Sequence, residues 1–91
     1  MDTKREEENL HSFFVEVKGM SEESFTVAMR KLAEHPAVFD EFKHTVFGYQ
    51  SDRQPVTVNG KTASSVRKSL RCSILDSYLY LADLLDSDSN Q

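Results

Sequence analysis

The sequence predicts an all-α fold: a small bundle of three short helices plus one longer C-terminal helix, with a short extended connector at residues 55–58. Three observations lead to this prediction. Apolar residues recur at helical spacing through most of the 91 residues. Residues that favour helix ends lie where each apolar run begins and ends. Alternation of the β type occurs only in the four residues of the connector, too few to build a sheet.

The first helix is predicted over about residues 4–18. Thr3 and Glu6 have the spacing of a capping box, and Gly19 follows where a left-handed C-terminal cap belongs. Between these ends the apolar residues fall on one side of a helix: Leu10, Phe13, Phe14 and Val17. The two phenylalanines are expected in the core.

The second and third helices are separated by a proline. Ser21 is a favourable N-cap for the second helix, which is expected to end near His35, because a residue before proline avoids the helical region. Pro36 suits the first turn of the third helix, and Gly48 closes that helix.

Gly60, Lys61 and Thr62 have the order in which phosphate-binding loops end. Such a loop requires a glycine at position 55, where this chain has Pro55, which lacks the N–H group that would bind phosphate. The stretch is therefore predicted to be a turn at Asn59-Gly60, followed by a helix that Thr62 caps through the N–H of Ser64 or Ser65.

The last helix is predicted to run from Thr62 to about Leu85. Its apolar arc is at first about 100° wide, the width that one core needs, and includes Leu70 and Ile74. The arc widens by about another 120° in the second half of the helix, and such a helix must be covered on most of its circumference. Either the other helices cover the added arc, or a partner does. The residues that widen the arc are the predicted partner-binding set: Leu75, Tyr78, Leu79 and Ala82.

Chain length favours one domain, residues 1–85, followed by a polar tail at 86–91 that is expected to be disordered. The single Cys72 cannot form an intramolecular disulfide, which suits the reducing cytoplasm. Because no apolar run is long enough to span a bilayer, we expect no membrane association.

Charge is separated within the second half of this small acidic chain. Residues 61–73 carry four bases and no acid, whereas residues 74–91 carry four acids and no base. The bases form a candidate site for an anion or an acidic surface: Lys61, Arg67, Lys68 and Arg71. The alternative is that they form ion pairs with acidic residues of the same chain.

The residue pattern predicts neither catalysis nor a cofactor. Asp40 and His44 are the one local pair with metal-ligand spacing, and two ligands do not make a zinc site. We therefore expect a protein-interaction module, accessory or inhibitory and without catalytic activity, that binds a partner protein or itself through the last helix. The alternative is a nucleic-acid-binding protein that uses the basic residues at the start of that helix.

Overall fold

The computed structural model describes residues 3–49 and 54–89, and within them the protein is all-α, as the sequence predicts. The helical elements follow one another along the chain as α1 (Thr3–His11), a π-helical segment (Ser12–Val17), α2 (Glu22–Ala33), α3 (Pro36–Phe47), α4 (Ala63–Leu70) and α5 (Ile74–Ser89). The chain divides into two compact units, Met1–Arg30 and Lys31–Gln91, so the boundary falls within α2. Whether the two units behave as one domain stays a prediction.

In the first unit, α1 continues into the π-helical segment, where the N–H of Lys18 donates to the carbonyl of Phe13 at 3.0 Å. The wider winding changes which residues share a face. Leu10 and Phe14 are buried as predicted, but Phe13 is 39% exposed and Val17 is 70% exposed. The prediction that all four lie on one buried face is therefore wrong, because it assumed α-helical spacing throughout.

The predicted ends of the next two helices agree closely with the structure. The N–H of Ser24 donates to the Ser21 hydroxyl at 3.1 Å, which satisfies a free N–H at the start of α2. Pro36 is the first residue of α3, and Gly48 ends that helix in the left-handed conformation, with φ of 74°.

The stretch at residues 58–62 is a tight turn, as predicted. Val58 and Lys61 exchange two backbone hydrogen bonds of 2.9 Å, and Asn59 and Gly60 between them have positive φ. Thr62 then caps α4: its hydroxyl accepts from the N–H of Ser65 at 3.1 Å, and the Ser65 hydroxyl accepts from the N–H of Thr62 at 2.9 Å. Residues 55–57 of the connector form neither helix nor strand, and Val58 belongs to the turn.

The predicted single helix from Thr62 to Leu85 is two helices. Arg71 ends α4 in the left-handed conformation, with φ of 55°, and the Ser73 hydroxyl accepts from the N–H of Asp76 at the start of α5. The break allows α4 to fold against α5: the Arg67 guanidinium donates to the Ser77 hydroxyl at 3.2 Å. In an unbroken helix these residues would lie about 15 Å apart along the axis.

α5 is the central element of the second unit, since it packs against α3 and α4. It continues to Ser89, past Leu85 where its end was predicted, and so includes part of the predicted disordered tail. The buried apolar side chains of this unit are Leu32, Val38, Phe42, Val58, Ala63, Val66, Leu75, Tyr78, Leu81 and Ala82. Within the described parts of the chain, every helix is too short or too polar to traverse a lipid bilayer.

Candidate functional site

A cleft of about 500 Å³ opens in the second unit. Its walls are formed by α3, the connector and the first turns of α4, with Tyr78 of α5 also lining it. Charged side chains of both signs line the cleft, including Glu41 and Arg67. Small-ligand sites combine a concave shape with apolar lining and a few polar groups that orient the ligand, and this cleft has Pro55 and Tyr78 beside its charged groups.

Glu41 is held by hydrogen bonds to both of its carboxylate oxygens. Oε1 accepts from the backbone N–H of Val56 in the connector at 2.7 Å, and Oε2 accepts from the Tyr78 hydroxyl at 2.8 Å. The carboxylate therefore ties the connector to α3 and α5. These contacts fix the orientation of the carboxylate. Because a carboxylate can accept about four hydrogen bonds, it can still accept further bonds from a ligand.

Tyr78 is 2% exposed and lies at the centre of this network. Because its single hydroxyl proton is donated to Glu41, the Thr45 hydroxyl, 2.9 Å away, must be the donor to the Tyr78 oxygen. Burial raises the pKa of Tyr78; the Thr45 hydrogen bond lowers it, Glu41 raises it further, and the positive charge of Arg67 lowers it. Burial prevails, so Tyr78 stays protonated well above neutral pH.

Arg67 approaches the cleft from α4 and is half-buried. One of its five N–H groups donates to the buried Ser77 hydroxyl, which in turn donates to the carbonyl of Ile74 at 2.6 Å. Within residues 3–49 and 54–89 no carboxylate pairs with this guanidinium. Its remaining donors are thus available to a ligand that enters the cleft.

The predicted partner-binding residues lie mostly inside the fold. Leu75, Tyr78 and Ala82 are 6%, 2% and 0% exposed, and Leu79 is half-buried. The widened arc of α5 therefore meets other parts of this chain at three of its four residues, which is the first of the two possibilities that the sequence left open. Whether a partner contacts Leu79 stays a prediction.

The four predicted basic residues line two different cavities or lie on exposed surface, and whether they bind an anion or an acidic surface stays a prediction. Arg67 lines the cleft, whereas Lys61 lines a separate groove of about 240 Å³ together with Leu70 and Tyr80. Lys68 and Arg71 are exposed. The prediction that Arg67 and Arg71 share a face assumed a continuous helix, whereas α4 ends at Leu70 and Arg71 has φ of 55°.

The end of α4 and the start of α5 form an exposed apolar corner. Leu70 is 55% exposed and Ile74 is 37% exposed, on either side of the break at Arg71. We define the corner surface as Lys61, Leu70, Arg71, Ile74 and Tyr80. The sequence pattern assigned Leu70 and Ile74 to the core of a continuous helix, and it gave no signal for the break.

A second polar cluster joins α2 to the end of α5. Lys31 pairs with Asp83 at 2.7 Å and with Asp86 at 2.5 Å, and His35 Nε2 lies 2.7 Å from Asp86 Oδ1. Possible metal-ligand atoms of Glu34, His35 and Asp86 lie within 4.8 Å of one another. The single Lys31 ammonium is shared between the Asp83 and Asp86 carboxylates, and with His35 they form an ion-pair network within the second unit.

Asp40 and His44, the pair with metal-ligand spacing, both line the cleft. His44 Nδ1 donates to the backbone carbonyl of Asp40 at 2.8 Å, so its proton is engaged within α3.

Comparison with models of known protein families, with curated proteins and with solved structures finds no match to this chain. Within the residues that the structure describes, the cleft and the corner surface are the two candidate sites of this chain.

Proposed function

We propose that this chain is a small protein-interaction module without catalytic activity, which acts in the cytoplasm and binds an acidic, amphipathic helical segment of a partner protein. The corner surface, at the junction of α4 with the C-terminal helix, is the binding site. The observation that carries the proposal is the exposure of Leu70 and Ile74 beside a break at which a non-glycine residue has positive φ.

The break supports this proposal because it carries a local cost in backbone conformation and in exposed apolar surface. A left-handed conformation costs a residue such as Arg71 about 1–2 kcal/mol relative to a helical one. It also leaves Leu70 55% exposed and Ile74 37% exposed, and moving such a side chain from full exposure to full burial is worth about 1.5–3 kcal/mol. A partner that covers Leu70 and Ile74 gains the part of this burial energy that corresponds to their exposed fractions.

Charge indicates the chemistry of the partner. Lys61 lines the groove beside Leu70, Arg71 directly follows Leu70, and both cations lie in the segment of residues 61–73, which has four bases and no acid. A helix with leucine on one face and glutamate on its flanks would meet Leu70 with apolar atoms and these cations with carboxylates. Tyr80, in the same groove, offers an apolar ring with a polar tip.

The absence of catalysis is part of the proposal. Glu41 is engaged in two hydrogen bonds, and the raised pKa of Tyr78 keeps that phenol from acting as a base or nucleophile near neutral pH. Their arrangement favours holding a shape or a ligand over reacting with one.

The test is fluorescence anisotropy with a labelled peptide that has Leu and Glu at i, i+3 and i+4 spacing. The control peptide has the same composition in an order that abolishes the amphipathic pattern. We expect the patterned peptide to bind more tightly, and Leu70→Asp to weaken its binding at least about tenfold, or 1.4 kcal/mol. Val27→Asp is the matched control, because Val27 is 66% exposed on α2.

Two results would overturn the proposal. In one, the patterned peptide binds no better than its control, or binds Leu70→Asp as well as the unaltered chain. In the other, a labelled DNA duplex binds more tightly than the peptide, with an affinity that falls steeply with salt; the nucleic-acid alternative would then replace this proposal. Peptide binding through apolar contacts should depend much less on salt.

A further inference from the structure

The cleft carries an inference beyond protein binding. We propose that it binds a small zwitterion, an amino acid or a short peptide with free ends, whose protonated amine faces Glu41 and whose carboxylate bonds to Arg67. The corner surface has no part in this site, so the two proposals stand or fall separately.

The first argument is that opposite charges line one cleft without neutralising each other. Glu41 lies on α3 and Arg67 on α4, and both are half-buried. The described ion pairs of the chain do not include one between these two residues. Half-buried charges interact more strongly with a ligand than fully hydrated ones do, so a dipolar molecule placed between them satisfies both.

The second argument is the donor capacity of Arg67. Its Nη1 donates to the Ser77 hydroxyl, and this hydrogen bond orients the guanidinium. The next residue of α4, Lys68, is exposed. A guanidinium has five N–H donors, arranged so that two can bond to one carboxylate in parallel. After the bond to Ser77, enough donors remain for a carboxylate to be bound in this way.

The third argument is that Glu41 is already fixed in position. The Val56 N–H and the Tyr78 hydroxyl hold its two oxygens at 2.7 Å and 2.8 Å. Neither donor is a cation, so the negative charge of the carboxylate is not cancelled by them. A ligand amine would meet a carboxylate that needs no reorientation, which lowers the entropic cost of binding.

Size and lining agree with a small dipolar ligand. A cleft of about 500 Å³ lies within the usual range of about 300–1,000 Å³ for small-molecule sites. Pro55 and the ring of Tyr49, which is 54% exposed, line the same cleft and offer apolar contacts for a ligand side chain.

The test is a titration of the full chain, followed by two-dimensional NMR, with alanine and with the dipeptide Ala-Ala. The Val56 amide reports on Glu41, and the Arg67 side-chain N–H reports on the other wall. We expect both signals to shift with a ligand whose two ends are free. Acetylating the amine or amidating the carboxylate of the dipeptide should weaken binding at least about tenfold, since each change removes one charged contact.

Variants of the protein assign each end of the ligand. Arg67→Gln removes the same contact as amidation of the ligand, so its affinity for the free dipeptide should be no higher than the affinity of the unaltered chain for the amidated dipeptide. Lys68→Gln, one residue along α4, is the control and should not change the affinity for the free dipeptide. The blocked dipeptides test the same contacts on the unaltered protein if Glu41→Gln proves unstable. A response to alanine as strong as to Ala-Ala would assign the site to free amino acids. Unmoved cleft signals at about 10 mM ligand, or equal affinities for free and blocked dipeptides, would overturn the proposal.

Discussion

The Tyr78 hydroxyl donates a 2.8 Å hydrogen bond to Glu41 and thereby joins α5 to α3 across 37 residues of sequence. The same tyrosine ring packs edge-on against Phe42, with ring centroids 5.7 Å apart. Tyr78 thus combines a buried aromatic contact with the polar network that lines the cleft. The residue is a structural centre of the second unit, and several expectations follow from its position.

Removing the Tyr78 hydroxyl should destabilise the fold. In Tyr78→Phe the ring remains against Phe42, but Glu41 and Thr45 each lose a partner. A hydrogen bond to a charged group contributes about 1.5–3 kcal/mol, and we expect a loss of that order in the free energy of unfolding, measured with urea. Tyr80→Phe is the matched control, because Tyr80 makes no described hydrogen bond, and it should change stability by less than about 0.5 kcal/mol. Equal effects of the two substitutions would contradict the assigned network.

Stability should also fall at alkaline pH because of Tyr78. Its folded-state pKa is raised, chiefly by burial, above the value of about 10 that it has in the unfolded chain. A raised pKa of an acid means that the native state holds the proton more tightly. The resulting stabilisation is complete below pH 10 and is lost as the pH rises through the folded-state pKa. Urea midpoints between pH 8 and 11 should therefore decline less steeply for Tyr78→Phe than for the unaltered chain, and parallel curves would show that Tyr78 does not titrate in this way.

Acid should weaken the ion-pair network at the end of α5. Hydrogen bonds from Lys31 and then from His35 lower the pKa of Asp86 below its ordinary value. A lowered pKa gives stability that is present above the unfolded-state value of about 4 and is lost as the pH falls through the folded-state value. Asp86→Asn should lower stability at pH 7 and flatten its decline between pH 5 and 2. Glu8→Gln, at an exposed position of α1, is the control and should leave both unchanged.

The conformation of Arg71 predicts opposite effects of glycine at two neighbouring positions. Arg71→Gly should stabilise the chain by up to about 1 kcal/mol, since glycine adopts φ of 55° without strain. Lys68→Gly lies within α4 and should cost about 1 kcal/mol. Thermal unfolding of the two variants measures the difference, and destabilisation of similar size at both positions would show that Arg71 is not strained.

The sequence predicted features that depend on neighbouring residues. Ser21 and Thr62 cap helices through N–H groups only three residues away. Gly48 ends α3 because glycine lacks the side chain that makes positive φ unfavourable. These interactions form within one turn of the chain, so their residue types are visible in a short window of sequence. The all-α class follows from the same local patterns.

The tertiary structure decided where these elements meet. It broke the last helix at Arg71, turned Phe13 and Val17 outward on a π-helical segment, and buried the arc that suggested an interface. It also brought His35 to Asp86 across 51 residues, and Glu41 and Arg67 into one cleft. The physical reason is that each arrangement balances local strain against burial and polar contacts between distant segments, and helical periodicity records only the local part of that balance.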